Sequence, residues 1–120
     1  MSADFQKLNT ELFTTSKKIA EKSNEIESAR TEYLGAKDKY ERDYSMNLLL
    51  TKTKNPEMTQ SEIKAESICK VYELKLAMRV KESAYRRLMS ELKSLNTLLE
   101  SLQEISYNSR IEMKNVGKSY

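Results

Sequence analysis

Histidine and tryptophan are absent from this 120-residue chain, glycine occurs twice, and proline and cysteine once each. Without histidine, and with a single thiol, the usual nucleophile–base pairs and transition-metal sites lack their ligands. Gly35 and Gly117 stand far apart, so there is no phosphate-cradling or dinucleotide-binding loop. Carboxylate pairs such as Glu25/Glu27 and Glu41/Asp43 stand two residues apart, on different sides of a helix. These absences point to a non-enzyme with no catalytic residue, metal, cofactor or small-molecule substrate. The lone Cys69 excludes an intrachain disulfide and fits a reducing compartment; within a helical run it reads as a small buried apolar residue. No stretch approaches the roughly 20 apolar residues of a membrane span. The opening MSADFQKLNT has no signal-peptide core. A cytoplasmic protein without a membrane partner is expected.

With so few helix breakers, the good helix formers decide the local structure. Phe5, Leu12, Ile19, Ile26, Tyr33 and Tyr40 recur every seven residues. The companion position, three residues on, reads Leu8, Thr15, Lys22, Ala29, Ala36 and Asp43, only half apolar. This is a real but thin coiled-coil seam. The second half has a fuller one in Tyr85, Leu88, Leu92, Leu95, Leu99 and Leu102, spaced by alternating threes and fours. Upstream its register gives Val71, Leu74 and Met78, interrupted by Lys81, and Ile68, Ala77, Ala84, Leu98 and Ile105 widen the stripe.

Between the halves Asn55-Pro56 is the clearest break, since proline disfavours a helical residue before it and cannot donate a helical hydrogen bond. Thr59 and Glu62 follow in capping-box spacing, each able to satisfy a backbone N–H of the other. The sequence therefore predicts an all-α fold, a single domain of residues 1–120. Its two long helices form an antiparallel hairpin that enters a coiled-coil assembly. The expected helices cover about residues 2–50, capped by Ser2 or Asp4, and about 59–114, with a turn at 51–58 and a frayed tail at 115–120. The leucine seam from Tyr85 to Leu102 is richer than the first helix can cover, so it is the expected oligomer interface of a homo-oligomer.

The net charge of +3 is unevenly placed: residues 37–87 carry twelve basic and eight acidic side chains. Tyr40, Tyr44 and Tyr72 are interleaved among these basic residues, which suits single-stranded nucleic acid through phosphate contact and base stacking. An equally simple reading is a solvated face flanking a seam. In an oligomer the basic end would repeat once per subunit and act multivalently.

Three segments carry a resemblance: YLGAKDKYERDY at Tyr33–Tyr44, the helix start Ser61-Glu62-Ile63-Lys64, and LLESLQEISYNSRIEM at Leu98–Met113. In this pattern the chain resembles the UvsY family of phage recombination mediators. The resemblance implies a small helical oligomer in the host cell cytoplasm. Such a protein binds single-stranded DNA and helps load a recombinase onto strands covered by a single-strand-binding protein. By the same resemblance Lys37, Lys39 and Arg42, with Lys52 and Lys54, would face DNA. The competing reading is a phage coiled-coil interaction protein that binds or inhibits a host protein. The lack of any base-reading motif favours it.

Overall fold

A computed structural model describes the backbone of residues 2–118 and the side chains of residues 4–114. Among these the protein is all-α, with three helices and no strand: α1 (Ser2–Lys54), α2 (Gln60–Lys70) and α3 (Tyr72–Lys118). The described residues gather into two compact units. One comprises residues 1–25 and 88–120, the other residues 26–87.

The unit of residues 26–87 is a helical hairpin. α1 continues four residues beyond Leu50, its expected end, and stops where Asn55-Pro56 removes the next helical hydrogen bonds. The Asn55 N–H closes the last turn on the Thr51 carbonyl at 2.9 Å, and the Met58 N–H returns to the Asn55 carbonyl at 3.1 Å. Thr59 then caps α2 from an extended backbone (φ −70°, ψ 160°), its Oγ1 accepting from the Glu62 N–H at 3.3 Å. Only this half of the expected capping box forms. The Glu62 carboxylate instead accepts the Thr59 hydroxyl proton at 3.0 Å.

The second helix is not continuous as expected. Val71 leaves helical geometry (φ −110°, ψ 18°) and separates α2 from α3. Its N–H is shared between the Ser67 and Ile68 carbonyls at 3.3 and 3.2 Å, and its carbonyl accepts from Lys75 at 3.0 Å. The hydrogen-bond run thus passes through a locally tightened turn rather than stopping. Among the described residues Val71 is also the most buried apolar side chain, 3% exposed, so packing and not a helix breaker marks the place. Thr51 and Ser67 are buried in the same unit. Neither hydroxyl has a hydrogen-bond partner among the described residues.

The unit of residues 1–25 and 88–120 pairs the start of α1 with the end of α3, antiparallel. Asp4 lies inside the first turn of α1, where its charge suits the helix dipole, and does not cap it. The Ser2 side chain lies outside the described residues. α3 runs on to Lys118, so the backbone of Gly117 is helical rather than part of a tail. Thr10 and Ser23 sit exposed in α1 and donate to the carbonyls four residues back, as Thr97 and Ser101 do in α3. Weak helix formers are accommodated in this way.

α1 passes through Gly35 without a positive φ, and a β-carbon added there would have open space around it. Gly35→Ala should therefore raise stability by about 0.5–1 kcal/mol, by helix propensity and a less disordered unfolded chain. A thermal unfolding curve followed by circular dichroism checks this; a lower midpoint would mean that the flexibility of Gly35 is used.

Candidate association and nucleic-acid surfaces

The less exposed positions along α1 include Phe5, Leu8, Leu12, Thr15, Ile19, Lys22, Ile26, Ala29, Tyr33, Ala36 and Tyr40, which is the seam read from the sequence. Along α3 they include Leu74, Met78, Lys81, Tyr85, Leu88, Leu92, Leu95, Leu99 and Leu102. Thus Tyr85 to Leu102, the expected oligomer interface, already faces α1. Tyr85 stacks on Tyr33 at 6.1 Å. Most of this row is only half-buried, however, and Leu102 alone is buried. Over the described residues the apolar side chains that reach full burial are Ile63, Val71 and Leu102.

Both lysines that interrupt the seams find carboxylates across it. In the unit of residues 1–25 and 88–120, Lys22 Nζ lies 2.7 Å from Glu91 and 3.5 Å from Glu25. In the other unit Lys81 Nζ lies 2.9 Å from Glu32. The hydrogen bond that Lys22 donates to the Glu91 carboxylate holds its ammonium pKa above the ordinary value; desolvation opposes the shift and Glu25 adds to it. Glu91 and Glu32 escaped sequence analysis because only the axial alignment of the helices shows which acid meets which lysine. The lysines themselves, as charges in an apolar register, were the available signal.

The five residues expected at DNA all belong to the unit of residues 26–87. They do not share one face. At about 100° per residue, Lys37 and Lys39 stand roughly 160° apart and flank the seam on opposite sides. Arg42 lies away from the seam, 72% exposed, and pairs with Asp38 at 3.2 Å. Lys52 and Lys54 are exposed in the last turn of α1. Of the interleaved tyrosines, Tyr40 and Tyr44 are half-buried and stack on each other at 5.9 Å, whereas Tyr72 is 52% exposed. Cys69 is an exposed free thiol rather than a buried residue, because it lies on the side of α2 away from Ile63 and Ser67.

One feature was not foreseen. At the start of α1 and the end of α3 the helices leave an open groove of about 1140 Å³. Phe5, Leu8, Leu102, Ile105 and Met113 supply its apolar surface, and Asp4, Glu11 and Glu112 its acidic rim. Among the described residues no group of three or more cysteine, aspartate or glutamate side chains is placed to hold a metal ion. None of the described helices is long and apolar enough to cross a membrane. Comparison of the chain with protein-family models, curated proteins and solved structures finds no match.

The cross-helix pairs make a charge-reversal experiment decisive. Lys22→Glu should lower the melting temperature by setting three carboxylates together, and Glu91→Lys should also lower it. The double reversal should recover most of the loss, as seen by calorimetry. The sign with pH follows from the raised lysine pKa. The stabilisation is full below 10.5, the unfolded value, and is lost as pH rises through the higher folded value.

Proposed function

We propose that this chain is a non-enzymatic coiled-coil association protein that completes its hydrophobic core by binding further copies of itself. The observation that carries the reading is the missing core. The chain exposes 9422 Å², whereas a compact monomer of its mass of 14.0 kDa exposes about 6700 Å². Phe13, Met46, Leu49, Val80 and Tyr107 each remain more than 60% exposed. Helices gain most of their stability from packing, so a chain with three buried apolar side chains among its described residues stands to gain from more neighbours. Sedimentation at micromolar concentration should show a species heavier than 14.0 kDa that dissociates on dilution. A stable monomer over that range would overturn the reading.

A second reading is favoured by charge placement. Residues 26–87 hold 13 basic and 10 acidic side chains, and the rest of the chain 8 of each. The whole net charge of +3 thus belongs to one unit, which also carries the exposed Tyr72. This supports a single-stranded-DNA-binding mediator of phage recombination, acting beside a recombinase and a single-strand-binding protein. A flexible strand can follow cations on several sides of a helix, and an oligomer multiplies the charge. Binding should then prefer single strands and weaken as salt rises. Replacing Lys37, Lys39 and Arg42 together by Ala should weaken it more than replacing Lys7, Lys17 and Lys18. Equal losses in a fluorescence-anisotropy titration would leave only a general charge effect, and no binding at physiological salt would discard the nucleic-acid role.

A further inference from the structure

The groove between the start of α1 and the end of α3 is lined by both apolar and acidic side chains. Ile105 and Met113 are 53% and 60% exposed there. Among the described residues Asp4, Glu11 and Glu112 outnumber the one cation of its lining, Lys7, and none of the three acids is ion-paired. Such a groove suits an amphipathic helix with apolar residues one turn apart and positive charge beside them.

The unit of residues 26–87 presents such a helix. Tyr72, Leu76 and Val80 follow one another at four-residue intervals on the outer face of α3, 52%, 41% and 66% exposed. Their row lies away from Leu74, Met78 and Tyr85, the residues turned to α1. Lys75 and Arg79 flank it, without an ion pair among the described residues, and Glu73 stands on its other edge.

We infer that the groove receives the Tyr72–Leu76–Val80 face of a second copy of this chain, in a head-to-tail contact. The inference rests on the self-association reading and gives it a site. The lengths match. Tyr72 to Val80 spans about 12 Å of helix, and Asp4 to Glu11 about 10 Å. Charge decides against the symmetric alternatives. Groove against groove would oppose Asp4, Glu11 and Glu112 to themselves, and stripe against stripe would bring Lys75 and Arg79 together. The area is also adequate. The surface in excess of a compact monomer is about 2700 Å². A chain using both faces, each of about 800 Å², would cover roughly 1600 Å² of it. Because the two faces differ, the contact propagates and closes into a ring or continues as a filament.

Two faces on one chain allow a mixing experiment. Ile105→Asp disables the groove but keeps the stripe. Leu76→Asp with Val80→Asp disables the stripe but keeps the groove. Each protein alone should be monomeric in sedimentation where the unmodified chain assembles. An equimolar mixture should give a complex of one copy of each and nothing larger. A gentler pair guards against misfolding: Glu11→Lys with Glu112→Lys, and Lys75→Glu with Arg79→Glu. Each should weaken association by about tenfold, and combining all four reversals in one chain should restore it. Circular dichroism confirms that each variant is helical. An unmodified chain that never assembles overturns the self-association reading together with this one. A chain that assembles while the folded groove and stripe variants assemble equally well overturns the groove alone, and assigns it to some other basic helix or to none.

Discussion

A helix packed against a single neighbour can bury only one stripe, and this constraint governs most of what the structure shows. Between two helices most side chains stay open to solvent on one side. The heptad leucines Leu88, Leu92, Leu95 and Leu99 therefore stay half-buried even though their register is unbroken, and Leu102 alone in that row is buried. The same geometry explains why lysines are tolerated within a seam. A lysine at a two-helix interface can lay its methylenes along the partner and still bring its ammonium to the edge. In a bundle interior the same residue would be buried and costly. The seam is thus permissive in polarity because it is shallow, and shallow because it lacks further helices.

A shallow seam holds the helices together weakly and says little about their alignment, since leucine rows can slip by a heptad with small loss. The charged pairs supply what the leucines do not. In one unit the lysine comes from α1 and the glutamate from α3; in the other the roles reverse, with Glu32 on α1 and Lys81 on α3. A heptad slip would set Lys22 opposite Ala84 or Leu98 instead of Glu91, whereas Lys81 would meet Lys39 in one direction and another carboxylate, Glu25, in the other. These pairs are partly exposed, so their contribution to stability is modest, but their value as discriminators between registers does not require strength. Tyr33 against Tyr85 works in the same direction, because two bulky rings stack well only when they meet.

The elements were legible from short-range chemistry. The heptad from Phe5 to Tyr40, the Asn55-Pro56 break and the Thr59 cap each depend on residues within one or two turns of each other, so sequence spacing is enough to place them. What stayed hidden depended on the partner helix. Val71 departs from helical geometry where packing, not composition, sets the backbone, and no glycine or proline signals it. Cys69 reads as buried by residue type, yet its position relative to Ile63 and Ser67 turns it outward. The basic block looked like one surface because it is dense in sequence. Around a helix Lys37, Lys39 and Arg42 diverge, and only Arg42 finds a carboxylate one turn away at Asp38. The groove was invisible because it is formed by residues about a hundred positions apart.

This distribution of cations bears on how the two functional readings relate. A compact basic patch can capture a nucleic acid strand as a monomer. Five cations spread around the end of a helix, on a chain with a net charge of only +3, present no such concentrated field. For such a chain to hold a single strand against physiological salt, several copies must act on the same strand, so that each further contact becomes intramolecular. Self-association is therefore a precondition of the nucleic-acid role and not its rival. The reverse does not hold, since an oligomer of this helix pair could serve as a purely protein-binding scaffold. The head-to-tail contact adds a particular consequence. It would cover Lys75 and Arg79, which flank the docking face, and repeat the α1 cations once per copy. Assembly would then multiply the α1 cations as it withdraws Lys75 and Arg79, so that strand binding would rise with the number of copies joined.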